Sequence, residues 1–331
     1  MAALKIDLGC GDYDLVRPLK DGVVRAEGME INFVLINKPP EVFWRMAVHS
    51  EFDAAEMSLG SYVAGKSRGD FPFVALPAFV SRKFRHSSAY VNVNSGIDRP
   101  ADLKGKRVGI PEYQMTATIW LRGILQDDYG VYPKDLHWLA GGLETPGRRE
   151  KIPLNLPPEI RLQTIPEGKT LASMLVAGEI DALFTAQAPE LYVKRSPHVR
   201  RLFPSSREVE ADYFRRTGIF PIMHVMVIRE ELYRRHPWVA QSLFKALLEA
   251  KTFCVQSVFK NNGLHSILPW AGHHIEETRE LMGNDFWPYG SDANRKTLET
   301  FIRYCTEQGI SERTMEVEEL FAKQTLDTFR I

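Results

Sequence analysis

Cysteine is scarce in this chain. Cys10, Cys254 and Cys305 are the only three among 331 residues. They lie far apart without CxxC spacing, which argues against a disulfide framework and against a cysteine-based zinc site. Neither sign of charge is in excess, since Lys plus Arg total 42 and Asp plus Glu total 42. Nucleic-acid and membrane-surface binders carry a basic excess, so no nucleic acid and no membrane is expected as a partner. Long apolar runs are missing too. The longest candidates, 71–80 and 219–228, contain proline and fall short of the ~20 residues of a membrane span. Lys5, Asp7, Asp12 and Asp14 interrupt what a signal peptide would need to be apolar, so a cytoplasmic chain is expected. There is no internal repeat and no low-complexity tract. The phrase Gly9-Cys10-Gly11 lacks a third glycine at dinucleotide spacing, so it reads as a turn and no NAD site is expected.

Apolar residues make up 44% of the chain, enough for packed cores, and the length favours two domains. Strands are predicted at 4–9, 31–36, 52–57, 73–80, 88–93, 107–110, 180–185 and 222–228. Pro39-Pro40 opens a helix whose face carries Val42, Phe43 and Met46. Further helices are predicted at about 115–127, at 171–177 with Gly178 as its stop, and over 230–260. A last helix begins at Ser291 or Asp292. Residues 141–158, rich in glycine and proline, read as a long loop. Strands alternate with helices, the mark of an α/β architecture with mainly parallel sheets.

Two phrases, Leu103-Lys104-Gly105-Lys106-Arg107-Val108-Gly109-Ile110 and Leu175-Val176-Ala177-Gly178-Glu179-Ile180-Asp181-Ala182, resemble the type 2 periplasmic-binding-protein-like fold and its enzymatic relatives. Five more phrases narrow this. They are Arg17-Pro18-Leu19, Asp53-Ala54-Ala55-Glu56-Met57-Ser58, Phe79-Val80-Ser81-Arg82-Lys83-Phe84-Arg85-His86-Ser87, Gly109-Ile110-Pro111-Glu112-Tyr113-Gln114-Met115-Thr116-Ala117 and Phe220-Pro221-Ile222-Met223-His224. Over the whole chain they resemble the 4,5-dihydroxyphthalate decarboxylases. The thiamine pyrimidine synthases share the fold but carry a cysteine cluster, which the scattered cysteines here do not provide.

The resemblance implies a two-lobed α/β fold with the ligand cleft between the lobes. Residues 1–84 and 225–331 would form a discontinuous first lobe and 85–224 the second, closing by hinge motion on ligand. It also implies a carboxy-lyase that converts 4,5-dihydroxyphthalate, a small aromatic dicarboxylate, to 3,4-dihydroxybenzoate and CO₂. A non-catalytic binding or sensor protein for an aromatic acid is the alternative, as is a decarboxylase for a related hydroxybenzoate. A homo-oligomer is expected.

Such a reaction needs the carboxylates held, a proton delivered to the ring carbon that loses CO₂, and electron release from the para hydroxyl. An acid and a base suffice, so no cofactor is expected. Arg17, Arg82 and Arg85 are the candidate carboxylate clamps, because a guanidinium donates two parallel hydrogen bonds. In an extended stretch Arg82 and His86 would face one ligand together; a solvated crossover is the competing reading. His86 and His224, one from each crossover, form a candidate acid/base pair, with Glu56 and Glu112 as further candidates. Tyr113, Gln114 and Thr116 stand where a strand turns into a helix, whose free N–H groups favour an anion; a plain helix cap is equally consistent. His86, His224 and Glu112 are the alternative ligands for a divalent metal ion, although no HxH or HExxH spacing supports one. His273-His274 is expected on a surface helix, and His49, His137, His198, His236 and His265 are expected to be structural. Trp44, Arg45 and Trp287 are candidates to wall an aromatic pocket or a subunit contact.

Overall fold

The computed structural model describes residues 3–260 and 267–326, so His265 lies outside them. Among the described residues eleven strands form two sheets. The first contains β1 (Leu4–Cys10), β2 (Met29–Leu35), β3 (Ala54–Ser58), β4 (Phe73–Arg82) and β11 (Ile222–Arg229), in the order β2-β1-β3-β11-β4. The second contains β5 (Ala89–Asn92), β6 (Arg107–Ile110), β7 (His137–Ala140), β8 (Arg161–Thr164), β9 (Ala182–Phe184) and β10 (Val199–Arg201), in the order β10-β5-β9-β6-β7-β8. The chain leaves the first sheet after β4 and returns through β11. That strand lies wholly in the first sheet, from Ile222 onward, so the second crossing ends just before it.

Neighbours run parallel wherever a helix or long loop carries the chain back over the sheet, as in β1–β2, β1–β3, β6–β7, β6–β9 and β7–β8. The strands that adjoin the crossings run antiparallel to their partners: β11 against β3 and β4, and β5 against β9 and β10. A return from the other lobe enters from the opposite end of the sheet, which reverses the strand.

Local sequence explains the helices nearest the site. Pro39–His49 starts on two prolines, where the missing N–H would have no helical partner, and buries Val42, Phe43 and Met46. Thr116–Tyr129 buries Ile119, Trp120, Leu121, Ile124 and Leu125 and stops at Gly130, whose φ of 62° is the left-handed conformation glycine favours. Arg295–Glu307 buries Leu298, Phe301, Ile302 and Cys305 as expected, but a 3₁₀ turn at Asp292–Asn294 precedes it. Ala271–Met282 is a helix with no buried residue, and His273 and His274 are exposed on it.

The core does not respect the division into sheets. One apolar cluster joins Leu8, Met57 and Val225 of the first sheet to Val108, Ile110, Ala182 and Phe184 of the second. The bridge is the helix Thr116–Tyr129. Its Trp120 stacks on Phe301 with ring centroids 5.2 Å apart and donates to the Ile222 carbonyl at 2.9 Å. Arg122 donates to Gln308 Oε1 at 2.7 Å, and Gln308 donates back to the Ile119 carbonyl at 3.0 Å.

Candidate active site

Side chains alternate along strands, so Glu56 and Ser58 of β3 share one face. The register sets His224 opposite Ser58 and Met226 opposite Glu56. His224 and Glu56 are therefore diagonal neighbours on that face. His224 Nδ1 lies 3.0 Å from Glu56 Oε2. The Glu56 side chain is fully buried, and its carboxylate also accepts from the Gly11 N–H at 2.8 Å and the Tyr13 hydroxyl at 2.9 Å. Tyr13 sits in the loop after β1, next to the parallel partner of β3. Burial, and then the Glu56 charge, push its pKa well above the usual phenol range, so it remains an O–H donor.

His224 is 17% exposed, and the Phe43 ring meets its ring edge-on at 4.8 Å. With Nδ1 held by Glu56, Nε2 is the nitrogen left for a ligand. The β4 strand bulges beside it: His224 pairs with Ser81 while Met226 pairs with Leu76, so Pro77–Val80 buckle out of the ladder. Pro77 cannot donate a ladder hydrogen bond, and such bulges re-aim side chains beside sites.

A second group of candidate residues surrounds the start of the helix Thr116–Tyr129. Thr116 Oγ1 bonds Ser58 Oγ at 2.8 Å and accepts from the Gly60 N–H at 2.8 Å, tying the start of the helix Thr116–Tyr129 to the end of β3. Glu112 is buried, accepting from Arg148 Nε at 2.6 Å and from Lys151 Nζ. Pro40, Trp44, Glu112, Gly147, Arg148, Arg149 and Lys151 line a cavity of about 310 Å³. Pro40 and Trp44 reach it from the helix that places Phe43 on His224.

Several expected groupings are not assembled. His86 and His224 do not pair. The His86 ring is buried between Phe203 and Tyr213, each at 5.3 Å, and neither ring nitrogen has a partner. Burial pulls its pKa down to about 4. Arg82 and His86 do not face a common ligand either, because β4 ends at Arg82 and a 3₁₀ turn begins at His86, which breaks the alternation. Arg82 is spent on the Phe220 carbonyl at 3.1 Å, the Pro288 carbonyl at 2.7 Å and Asn294. Arg17 is half exposed and pairs with Asp12 at 3.2 Å. The metal alternative of His86, His224 and Glu112 is dispersed among these separate partners, and among the described residues no three His, Cys, Asp or Glu side chains form a metal-holding group.

Arg85 stands differently. It is buried and contacts Met223 Sδ at 2.9 Å, Ser88 Oγ at 3.5 Å and the Ala186 carbonyl at 3.4 Å; it forms no ion pair among the described residues, although the Glu210 charge acts on it. The turn before the helix Thr116–Tyr129 does bind an anion, but that anion is Glu150. Its carboxylate accepts from the Tyr113 N–H, from the Gln114 N–H at 3.3 Å and from Gln114 Nε2 at 2.9 Å. The Tyr113 ring itself lies under Arg122 at 3.8 Å. Trp287 donates to the Phe79 carbonyl at 2.7 Å and packs on Phe220, bracing the crossover. Arg45 pairs with Glu51 at 2.5 Å on the surface. Tyr13, Arg148, Glu150 and Lys151 escape a reading of the sequence. All four are brought in by loops, where no local pattern marks them, and Phe43 is legible only as an apolar residue of its helix.

Two curated relatives bear on this arrangement. A 4,5-dihydroxyphthalate decarboxylase of Comamonas testosteroni is 39% identical over 331 residues, covering 100% of both chains. The chain belongs to the 4,5-dihydroxyphthalate decarboxylase family. It is by that membership a carboxy-lyase. A second family member, the 4,5-dihydroxyphthalate decarboxylase of Pseudomonas putida, is 40% identical over 215 residues, or 65% of this chain and 83% of that one. Beyond the decarboxylases, the fold is similar to that of the periplasmic aliphatic sulphonate binding protein SsuA of Escherichia coli. The TM-score is 0.52 at 12% identity, over 98% of this chain and 99% of that one, a likeness of type 2 periplasmic-binding-protein-like fold alone. No protein-family model matches the chain.

Proposed function

We propose that this decarboxylase acts on 4,5-dihydroxyphthalate, releasing CO₂ and 3,4-dihydroxybenzoate, with His224 as the proton carrier. The observation that carries the mechanism is the buried Glu56 carboxylate holding His224 Nδ1 at 3.0 Å. A carboxylate in that position fixes the ring's orientation and leaves Nε2 to give and take a proton. In the proposed step the Nε2 proton goes to the ring carbon that bears the leaving carboxylate, while the para hydroxyl releases electron density into the ring. The carbon–carbon bond then breaks, its electron pair restores the aromatic ring, and CO₂ departs. One proton is taken up for each CO₂ released. Glu56 is a positioning residue here: Tyr13 donates to Oε2, the oxygen that faces His224, and the Gly11 N–H holds Oε1.

Arg85 is the candidate clamp for a substrate carboxylate, supported by its burial without an ion pair, an arrangement that favours an incoming anion. His86, neutral among aromatic rings, supports the crossover rather than the chemistry. Proton transfer and electron release account for the step, so we read the reaction as cofactor-free, and turnover should persist after exhaustive chelation. No helix among the described residues is long and apolar enough to cross a membrane. Three free, buried cysteines favour a reducing compartment such as the cytoplasm. The exposed Phe253, Ile267 and Trp270 favour self-association, which sedimentation velocity would report.

The test is turnover of 4,5-dihydroxyphthalate, followed as CO₂ and 3,4-dihydroxybenzoate. His224→Ala should lower kcat by at least about 100-fold, the usual contribution of a general acid, and Glu56→Gln should lower it with little change in KM. Near-wild-type kcat in both variants would overturn the site. Tight binding without product in the wild type would instead make the protein a binder of aromatic acids.

A further inference from the structure

Resting on the decarboxylase reading above, we infer that Arg148 and Lys151 form a carboxylate clamp for the substrate, and that Glu112 occupies this clamp when substrate is absent. Three cationic side chains (Arg148, Arg149 and Lys151) and one carboxylate (Glu112) line the cavity beside Trp44. The balance is cationic, as a pocket for an aromatic acid needs. Lys151 and Glu112 are almost fully shielded from water, at 8% and 2% exposure. Burial lowers the Lys151 pKa, so its ammonium depends on a nearby anion to stay charged. The anion it has is Glu112, which Arg148 also holds, at 2.6 Å.

Glu112 thus makes the contacts that an incoming carboxylate would make: one guanidinium N–H and one ammonium. Trp44 and Pro40 supply an apolar wall against which an aromatic ring can lie. The segment that carries the clamp is anchored from below, since Glu150, between the two cations in sequence, accepts from the Tyr113 and Gln114 amides. The cations are therefore presented from a loop tied to the turn before the helix Thr116–Tyr129. A substrate with two adjacent carboxylates engages this clamp with the carboxylate it keeps, displacing Glu112 towards solvent or protonating it.

A merely structural ion-pair cluster and a clamp with an internal competitor respond differently to mutation. In a structural cluster, removal of either sign weakens the fold and shifts KM the same way. In the clamp, Lys151→Met should raise KM for 4,5-dihydroxyphthalate by about 10-fold to 100-fold, the worth of a charge-assisted hydrogen bond, while kcat changes little. Glu112→Gln, which removes the competitor, should lower KM. Arg148→Lys should fall between wild type and Arg148→Met. Unsubstituted phthalate, followed by tryptophan fluorescence with Trp44→Phe as the control, gives a readout independent of turnover: it should bind wild type, bind Lys151→Met at least about 10-fold more weakly, and compete with substrate. Wild-type turnover with KM unmoved by Lys151→Met, or moved the same way by Glu112→Gln, overturns the clamp and leaves the decarboxylase reading standing. Phthalate binding that depends on Lys151, in a protein without turnover, upholds the clamp and overturns that reading.

Discussion

His86 illustrates how an environment decides what a residue can do. Its ring nitrogens meet no partner, and burial penalises the imidazolium, so the pKa falls from 6.5 to about 4. The unfolded chain binds more protons than the folded one between those values. Stability therefore falls as pH drops from about 6.5 towards 4, and this contribution is constant above and below that window. The loss from this one group amounts to roughly 3 kcal/mol. His86→Leu should flatten the pH dependence of the urea midpoint between pH 4 and 6.5 relative to wild type. Equal slopes would mean that His86 is charged in the fold. His224 is the contrasting case: the same residue type on a strand keeps a carboxylate at one nitrogen and is 17% exposed. The sequence singles out both histidines, because both stand near predicted crossings, but it does not tell them apart. That distinction lies in Phe203, Tyr213, Phe43 and Glu56, which come from distant segments.

Elements with strong periodicity are readable from the sequence. β1, β4, β6 and β11 and the helices Pro39–His49 and Thr116–Tyr129 fall within a few residues of their expected bounds. β8 and β10 are not, because Arg161–Thr164 is short, polar and largely exposed and Val199–Arg201 is only three residues, two of them arginine, so neither alternation nor an apolar run betrays them. The helix Ser206–Thr217 is hidden because it buries little beyond Ser206 and Tyr213. What ties the two lobes together is equally hidden. The close approach of Gly60 to the turn before the helix Thr116–Tyr129 is such a tie: a Cβ at Gly60 would lie 2.6 Å from the Gln114 carbonyl oxygen and 2.7 Å from Ile119 Cδ1. Backbone cannot yield as a side-chain tip can. Gly60→Ala should destabilise the protein by about 1–3 kcal/mol and part the Thr116 hydroxyl from Ser58, lowering activity together with the urea midpoint. An unchanged midpoint would mean that the two segments separate freely.

At the scale of the molecule, the shared apolar cluster limits how far the lobes can swing. The hinge closure that a two-lobed fold suggests would have to slide Trp120 across Phe301 and break the buried exchange between Arg122 and Gln308. Small-angle scattering with and without saturating phthalate should give superimposable curves. A clear contraction on binding would mean that this packing opens and recloses. The strand order bears on biosynthesis as well. The second sheet draws all its strands from residues 89–201, so it can form as soon as that stretch leaves the ribosome. The first sheet cannot, because β11 fills the place between β3 and β4. Until residue 229 has emerged, two hydrogen-bonding edges, on strands that end up almost wholly buried, stand open to any neighbour. The strand that brings the histidine to the site is thus also the one that closes the nascent chain against aggregation.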